Sequence, residues 1–399
     1  MKRRLPPILM TLVLVCALPI WAAFVTSGDV TNPLLTTAAA SEMALQERIN
    51  QANAGATITL NSNTEIAATL QITKNLTLDL NGYVLKMGGT GRVIHITSSA
   101  EVEIKDGESN RAHTGEYAAL PAGGVITGGK AESGGGILLD GGCTLKLTGG
   151  CITDCRATDT GGGGVDLRGS TAILYISGTA RIENCTAGEM WGANAIFNSG
   201  TMYADGGTVD GTVNNQGTIK RSEGTADMDM TVFNKAVYNR AGKSIEAGIY
   251  KGTVENRGSI TGGTFYGGVT DDGGTIRGGT FAVTFDRGDG TKTEPTLVEW
   301  NGKVSRPTSD PEKSGHTFVG WYLGDALYDF NTPVNAPLTL TARWEEVPSS
   351  GGNYYYHPTT DTKADDAKGS PKTADPGVAL YGVLSLLSLT GLTCATKKR

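Results

Sequence analysis

The sequence predicts an all-β chain: a long stack of short parallel strands, then a small aromatic-rich β domain. Three observations predict it. Glycine makes up 57 of 399 residues, far above the usual share of about 7%, with no collagen-like triplet period. Segments of the middle region repeat one another at offsets of 28, 29 and 30 residues. After residue 282 glycine thins out and aromatic residues take over.

The N-terminus has the order of a secretory signal. Lys2, Arg3 and Arg4 precede an apolar run from Ile8 to Ile20, short for a membrane span but right for a signal helix. Small residues suited to cleavage lie at Trp21-Ala22-Ala23 and again at Ala38-Ala39-Ala40, so residues 1–40 are assigned to the signal and a short leader.

The stack is assigned to residues 41–282. It opens with an amphipathic helix over 43–52, with Leu45, Ile49 and Ala52 on one face and Gly55 as its stop. Short alternating strands follow at Ala56–Leu60, Thr69–Ile72, Leu76–Leu80, Val84–Met87, Val93–Ile96 and Val102–Ile104. Gly134-Gly135-Gly136-Ile137-Leu138-Leu139 returns as Gly162-Gly163-Gly164-Val165-Asp166-Leu167, and Ile152-Thr153-Asp154-Cys155 as Ile182-Glu183-Asn184-Cys185. Later units are shorter: Gly258-Ser259-Ile260-Thr261-Gly262-Gly263-Thr264-Phe265 returns as Gly274-Thr275-Ile276-Arg277-Gly278-Gly279-Thr280-Phe281.

Three short strands per unit with glycine corners describe a solenoid of about 8–11 coils. At about 4.8 Å per coil the rod is roughly 40–55 Å long. The helix is expected to cap the first coil and shield a strand edge open to other chains. The pattern resembles the right-handed parallel β-helix of pectate-lyase-like proteins.

The repeat register places Cys155 and Cys185 at equivalent positions in neighbouring coils, close enough for a disulfide or for two stacked thiols. Cys143 and Cys151 complete the external set, while Cys16 falls in the signal and Cys394 in the C-terminal apolar run. Paired Cys-x-x-Cys spacing is missing and the four histidines are scattered, so no metal site and no cofactor is expected.

Many pectate-lyase-like proteins cleave acidic polysaccharides, which calls for clustered carboxylates and a basic residue on one exposed face. The candidates are Asp154, Asp159, Asp166 and Arg168, then Asp271 and Asp272 with Arg277. Their spacing does not converge on one face, and Asp271-Asp272-Gly273-Gly274 reads as a turn. Gly88–Gly91 and Gly161–Gly164 lack the strand-to-helix context and following Lys of a phosphate loop. The expectation is a protein that is not an enzyme, with an envelope-anchored polysaccharide lyase or hydrolase as the alternative.

Residues 283–345 hold Phe285, Trp300, Phe318, Trp321, Tyr322, Tyr328, Phe330 and Trp344. The run Gly315-His316-Thr317-Phe318-Val319-Gly320-Trp321-Tyr322, with Leu338–Trp344 behind it, resembles a Listeria–Bacteroides repeat, the B-repeat of internalin-type surface proteins. The resemblance implies a small β-grasp-like fold used as a spacer or interaction module. Phe318, Trp321, Phe330 and Trp344 supply a core for so short a domain; a stacking platform for sugars or partners is the other reading. Residues 346–369 are polar, carry Tyr354-Tyr355-Tyr356, and read as a disordered linker that reaches at most about 80 Å.

The chain ends in Ser370-Pro371-Lys372-Thr373-Ala374, a 19-residue uncharged run from Val378 to Thr396, and Lys397-Lys398-Arg399. As a helix the run is about 28 Å long, enough to cross a bilayer with its basic tail inside. This order, assigned to 370–399, resembles the LPXTG-like cell-wall sorting signal of Gram-positive surface proteins. The resemblance implies a sortase that cleaves after Thr373 and joins it to a cell-wall precursor. Ser370 and Ala374 depart from the family's usual residues, and a plain transmembrane anchor is the other reading.

The formal charge is −6, and −12 once the two basic termini are set aside, which argues against nucleic acid or anionic lipid as a partner. The expected protein is exported and displayed at the cell surface from its C-terminus. It presents a rod for adhesion to a glycan or host matrix ligand, or serves as a structural element.

Overall fold

The computed structural model describes residues 45–348, except 189–192, 225, 227 and 228. The signal segment, the linker and the sorting signal Ser370–Ala374 with its apolar run lie outside the described residues. No helix among the described residues is long and apolar enough to cross a membrane.

The described chain is mostly β, with large parallel sheets, and its short strands sort into three columns. Strands of the first column include Ala56–Thr59, Leu76–Asp79, Glu101–Lys105 and Thr144–Leu147, ending at Thr275–Ile276. Those of the second include Thr64–Ile66, Val84–Met87, Val125–Thr127 and Cys151–Thr153, ending in Thr280–Asp286. A separate nine-stranded sheet forms the third, from Leu70–Ile72 through Ile137–Asp140 and Val165–Arg168 to Val269–Asp271. The long strands Ile173–Glu183 and Thr201–Asp210 serve the first column with their first half and the second with their last. The chain visits the columns in turn and returns one strand further along.

Alternation puts one ladder of each column inside. Leu76, Val102, Leu145, Leu174, Met202, Ile219, Ile245 and Ile260 are register partners in the first column, all buried. Leu70, Ile94, Ile137, Val165, Ile196, Val213, Val237 and Val254 do the same in the third. Each such side chain contributes about 1.5–3 kcal/mol by leaving water, but only when its neighbours above and below are present.

Two ladders change character part-way. In the second column the aliphatic series ends at Val209 and Phe233, Tyr250, Phe265 and Phe281 take over. Their rings stack with centroids 5.0, 4.9 and 5.3 Å apart. Tyr250 is fully buried, and its hydroxyl donates to Ala247 O at 2.7 Å. In the third column Ile72, Ile96, Leu139 and Leu167 give way to Asn198, Asn215, Asn239 and Asn256.

These buried amides form a hydrogen-bonded chain. Each of the first three donates its Nδ2 to the next amide oxygen at 2.8 Å, and Asn256 donates to Asp271 at 3.0 Å. The same Nδ2 atoms donate to the backbone oxygens of Thr218, Ser244, Ser259 and Thr275 at 3.0–3.3 Å. Asn198, Asn215 and Asn256 accept from the amide two residues on, at Gly200, Gly217 and Gly258. The ladder thus satisfies the backbone at the turn out of the third column.

A helix over residues 45–51 covers the first strands, with Leu45 and Ile49 buried. Arg48 donates to Thr59 O at 2.7 Å, and Gln46 exchanges hydrogen bonds with the backbone of Gln71. Groups on the first strands that lack a neighbouring strand are thereby occupied.

At the other end the predicted boundary at 282/283 falls inside one strand. Thr280 and Phe281 pair with Thr264 and Phe265, and Val283–Asp286 pair in parallel with Leu338–Thr341. Thr296–Glu299 runs antiparallel along the free edge, pairing with residues 280–283. Leu338–Glu346 pairs with His316–Leu323, which turns back on Ala326–Leu327. Phe285, Trp321, Phe318 and Trp344 meet edge to face, and Trp344 Nε1 donates to Arg287 O at 2.8 Å. These aromatics pack as a core.

Cys143, Cys151, Cys155 and Cys185 are free and buried. Cys155 and Cys185 lie in adjacent rounds, where Sγ of Cys155 approaches Thr153 O and Sγ of Cys185 approaches Ile152 O. The Cys185 thiol beside it and burial push the Cys155 pKa well up, and burial raises those of Cys143 and Cys151. Such thiols react poorly.

Replacing Asn239 by Ala removes the acceptor of Asn215 and the donor to Ser259 O in one step. It should cost about 1–3 kcal/mol and lower the melting temperature, whereas Lys235→Ala on the exposed turn should leave the urea midpoint unchanged.

Candidate functional site

Polar chemistry concentrates on the outer face of the third column, where register decides which side chains meet. His95 points outward between buried Ile94 and Ile96. The next strand presents Leu138 and Asp140, and the one after presents Asp166 and Arg168. Register sets Asp140 beside Arg168 and Leu138 between His95 and Asp166. Arg92, Glu132 and Ser133, on the turns leading into these strands, complete the group.

Asp166 is only 5% exposed. Burial raises its pKa, and the Ser133 hydroxyl, Arg168 and Arg92 oppose that rise. Arg168 Nη2 donates to Ser133 Oγ at 2.6 Å. Burial lowers the pKa of Arg92, and the charge of Arg168 lowers it further. His95 Nε2 lies 3.1 Å from Asp140 Oδ2, yet off the line of a hydrogen bond.

Of the acid–base candidates, the fold therefore brings Asp166 and Arg168 together and leaves Asp154 and Asp159 apart. Asp154 occupies a left-handed turn position (φ 51°), as Asn184 does one round later (φ 50°). Asp159 is exposed, with its N–H on Glu132 O. Asp271 accepts from Asn256, Asp272 pairs with Arg257 at 2.7 Å, and no ion pair joins Arg277 to either among the described residues. Sequence reasoning missed Arg92, His95, Ser133 and Asp140. The repeat that matches Gly134 with Gly162 also matches Asp140 with Arg168, so one of the four was within reach.

A general acid needs both a raised pKa and contact with substrate. Asp166 has the first, but it is enclosed by its own partners. Other acids act as clamps on loops: Asp106 accepts from the amides of Gly82 at 2.6 Å and Gly124 at 2.7 Å, pinning both ends of the insertion 106–124. Asp79 accepts from Asn81 and Gly107, each at 2.9 Å. No three His, Cys, Asp or Glu side chains among the described residues lie close enough to share a metal ion.

The first column carries an aromatic pair outside. Tyr175 and Tyr203 stack at 4.3 Å with an interplanar angle of 5°, and Lys220 covers the far face of Tyr203 at 4.8 Å. Lys146, next to Tyr175 in register, binds Glu101. The facing ring surfaces are already occupied, which leaves edges and hydroxyls outward.

Residues 281–343 match the Listeria–Bacteroides repeat domain. Two proteins of Evansella cellulosilytica are similar over 67 residues, or 16% of this chain. One, named "Putative Gly-rich membrane protein", is 36% identical there; the other, named "Putative membrane protein", is 34% identical. The shared stretch spans 8% and 10% of those proteins' own lengths. No solved structure matches the chain. The repeat domain found at 281–343 agrees with the resemblance read from the Phe-x-Gly-Trp-Tyr run, and it includes the strand shared with the parallel columns.

Proposed function

We propose that the chain is a surface-displayed, non-enzymatic protein with an adhesive role. In this reading the columns wind as a right-handed parallel β-helix, and a sortase attaches the chain through Thr373. The observation that carries it is the strand Thr280–Asp286, which continues the second column straight into the repeat domain. A fused spacer transmits position and load without a hinge, as a display device requires.

Further support comes from the termini. A signal-like N-terminus and a Pro-x-Thr motif before an uncharged run and a basic tail give the chain an export route and an anchor. The relatives that share the 67-residue stretch are named as membrane proteins. The internal engagement of Asp79, Asp106 and Asp166 favours binding over catalysis.

A lyase or hydrolase is the second reading, favoured by the convergence of Asp140, Asp166 and Arg168. Incubating the full chain with polygalacturonate, with and without Ca²⁺, should give no shortening of the polymer. Depolymerisation that Arg168→Ala abolishes would establish the enzyme instead.

Attachment has its own outcome. Wild-type protein should leave cells with muramidase, and Thr373→Ala should move it to the detergent-extracted membrane fraction. Wild-type protein already extracted by detergent alone would mean that the helix is the anchor.

A further inference from the structure

A cleft of about 450 Å³ lies where the corner between the first and second columns meets the strand Thr296–Glu299. Its floor is backbone, from Gly262-Gly263-Thr264 and, one round later, Gly278-Gly279-Thr280. Arg221 and Glu246 line it from earlier rounds, and Glu299 and Trp300 from the repeat-domain side.

Stacking forces the floor to be bare. A Cβ on Gly262 would sit 2.1 Å from Glu246 O, and one on Gly278 2.2 Å from Thr261 O. Gly263 and Gly279 hold φ of 100° and 99°, in the left-handed region that favours glycine. Two side-chain-free steps therefore lie one above the other, and the cleft follows from the register.

Trp300 is unlike the domain's other tryptophans. Trp321 and Trp344 pack against aromatic rings in the core. Trp300 is 36% exposed, and its ring has no aromatic or hydrogen-bond partner among the described residues. Its backbone is nevertheless fixed, with N–H donating to Gly279 O at 2.8 Å. An indole held at the wall of a cleft on a rigid edge offers a flat apolar face with polar groups close by. That pairing suits a sugar ring, which has an apolar C–H face and a rim of hydroxyls.

Charge selects among saccharides. Glu246 and Glu299 outweigh Arg221, so a carboxylated or sulfated glycan would meet net repulsion. Neutral hydroxyls can donate to both carboxylates and accept from the guanidinium. The cleft volume falls within the range of about 300–1,000 Å³ typical of small-ligand sites.

We propose that this cleft binds a short neutral saccharide, with one pyranose ring on Trp300 and its hydroxyls on Glu246, Glu299 and Arg221. The proposal rests on the adhesive reading and gives it a location and a ligand class.

Calorimetric titration of the detergent-solubilised full chain with cellotriose, maltotriose, triacetylchitotriose and trigalacturonate tests it. At least one neutral trimer should bind, and trigalacturonate should not. Trp300→Ala should weaken binding at least about tenfold, and Trp300→Phe should recover most of the loss. Glu246→Lys, an exposed change on a different round, should weaken the same trimer independently. Failure of every neutral trimer to bind, a preference for trigalacturonate, or full affinity in Trp300→Ala would overturn the site. Surface biotinylation of whole cells reads display separately: labelled protein that binds no sugar sinks the cleft alone, and unlabelled protein sinks the display reading alone.

Discussion

Everything in this chain depends on vertical register: each inward side chain must sit on its equivalent in the round before. A slip of one residue would turn a buried ladder such as Leu76–Val102–Leu145–Leu174 out to solvent and bring in Thr77, Glu103, Lys146 and Tyr175. No round has a core of its own, so hydrophobic burial and backbone pairing are gained together or lost together. The glycine content follows from the same constraint. At Gly217, for instance, a Cβ would lie 1.9 Å from the carbonyl of Gly200 in the preceding round.

The ladders change after residue 195, where round length varies. First-column partners are 28 residues apart between Ile173 and Thr201, 17 between Thr201 and Thr218, 26 between Thr218 and Ser244 and 15 between Ser244 and Ser259. In these rounds the backbone oxygens of Thr218, Ser244, Ser259 and Thr275 take their side-chain hydrogen bonds from the asparagines at the turn out of the third column. A leucine there would bury those groups unsatisfied at about 1–3 kcal/mol each. Asparagine reaches the turn above, the amide two residues on and the next asparagine at once. The stacked aromatic rings of the second column fill the core over the same rounds.

Much of this was legible in the sequence, because repetition reports register. The Gly134/Gly162 repeat gave the third-column strands, and equating Cys155 with Cys185 anticipated two buried sulfurs in adjacent rounds. The aromatic run around Trp321 gave the repeat domain. The asparagine ladder was written as Asn-x-Gly at Asn198, Asn215 and Asn256, but turn propensity explains that pattern equally well. His95 and Arg92 could not be joined to Asp140 and Asp166, since the insertion 106–124 breaks the period between them; in the structure Asp106 clamps its ends while Tyr117 and Leu120 pack on Val84, Val125 and Cys151. Trp300 was counted among the aromatics, but exposure cannot be read from composition.

The functional account rests on register passing without a break from the columns into the repeat domain along Thr280–Asp286. Hydrogen exchange of the full chain in rising denaturant, read peptide by peptide by mass spectrometry, measures this directly. The account predicts that peptides covering Ile249–Tyr250, Thr264–Phe265, Thr280–Asp286 and Leu338–Glu346 lose protection in one transition. A separate, earlier transition for Leu338–Glu346, with the column peptides still protected, would contradict it.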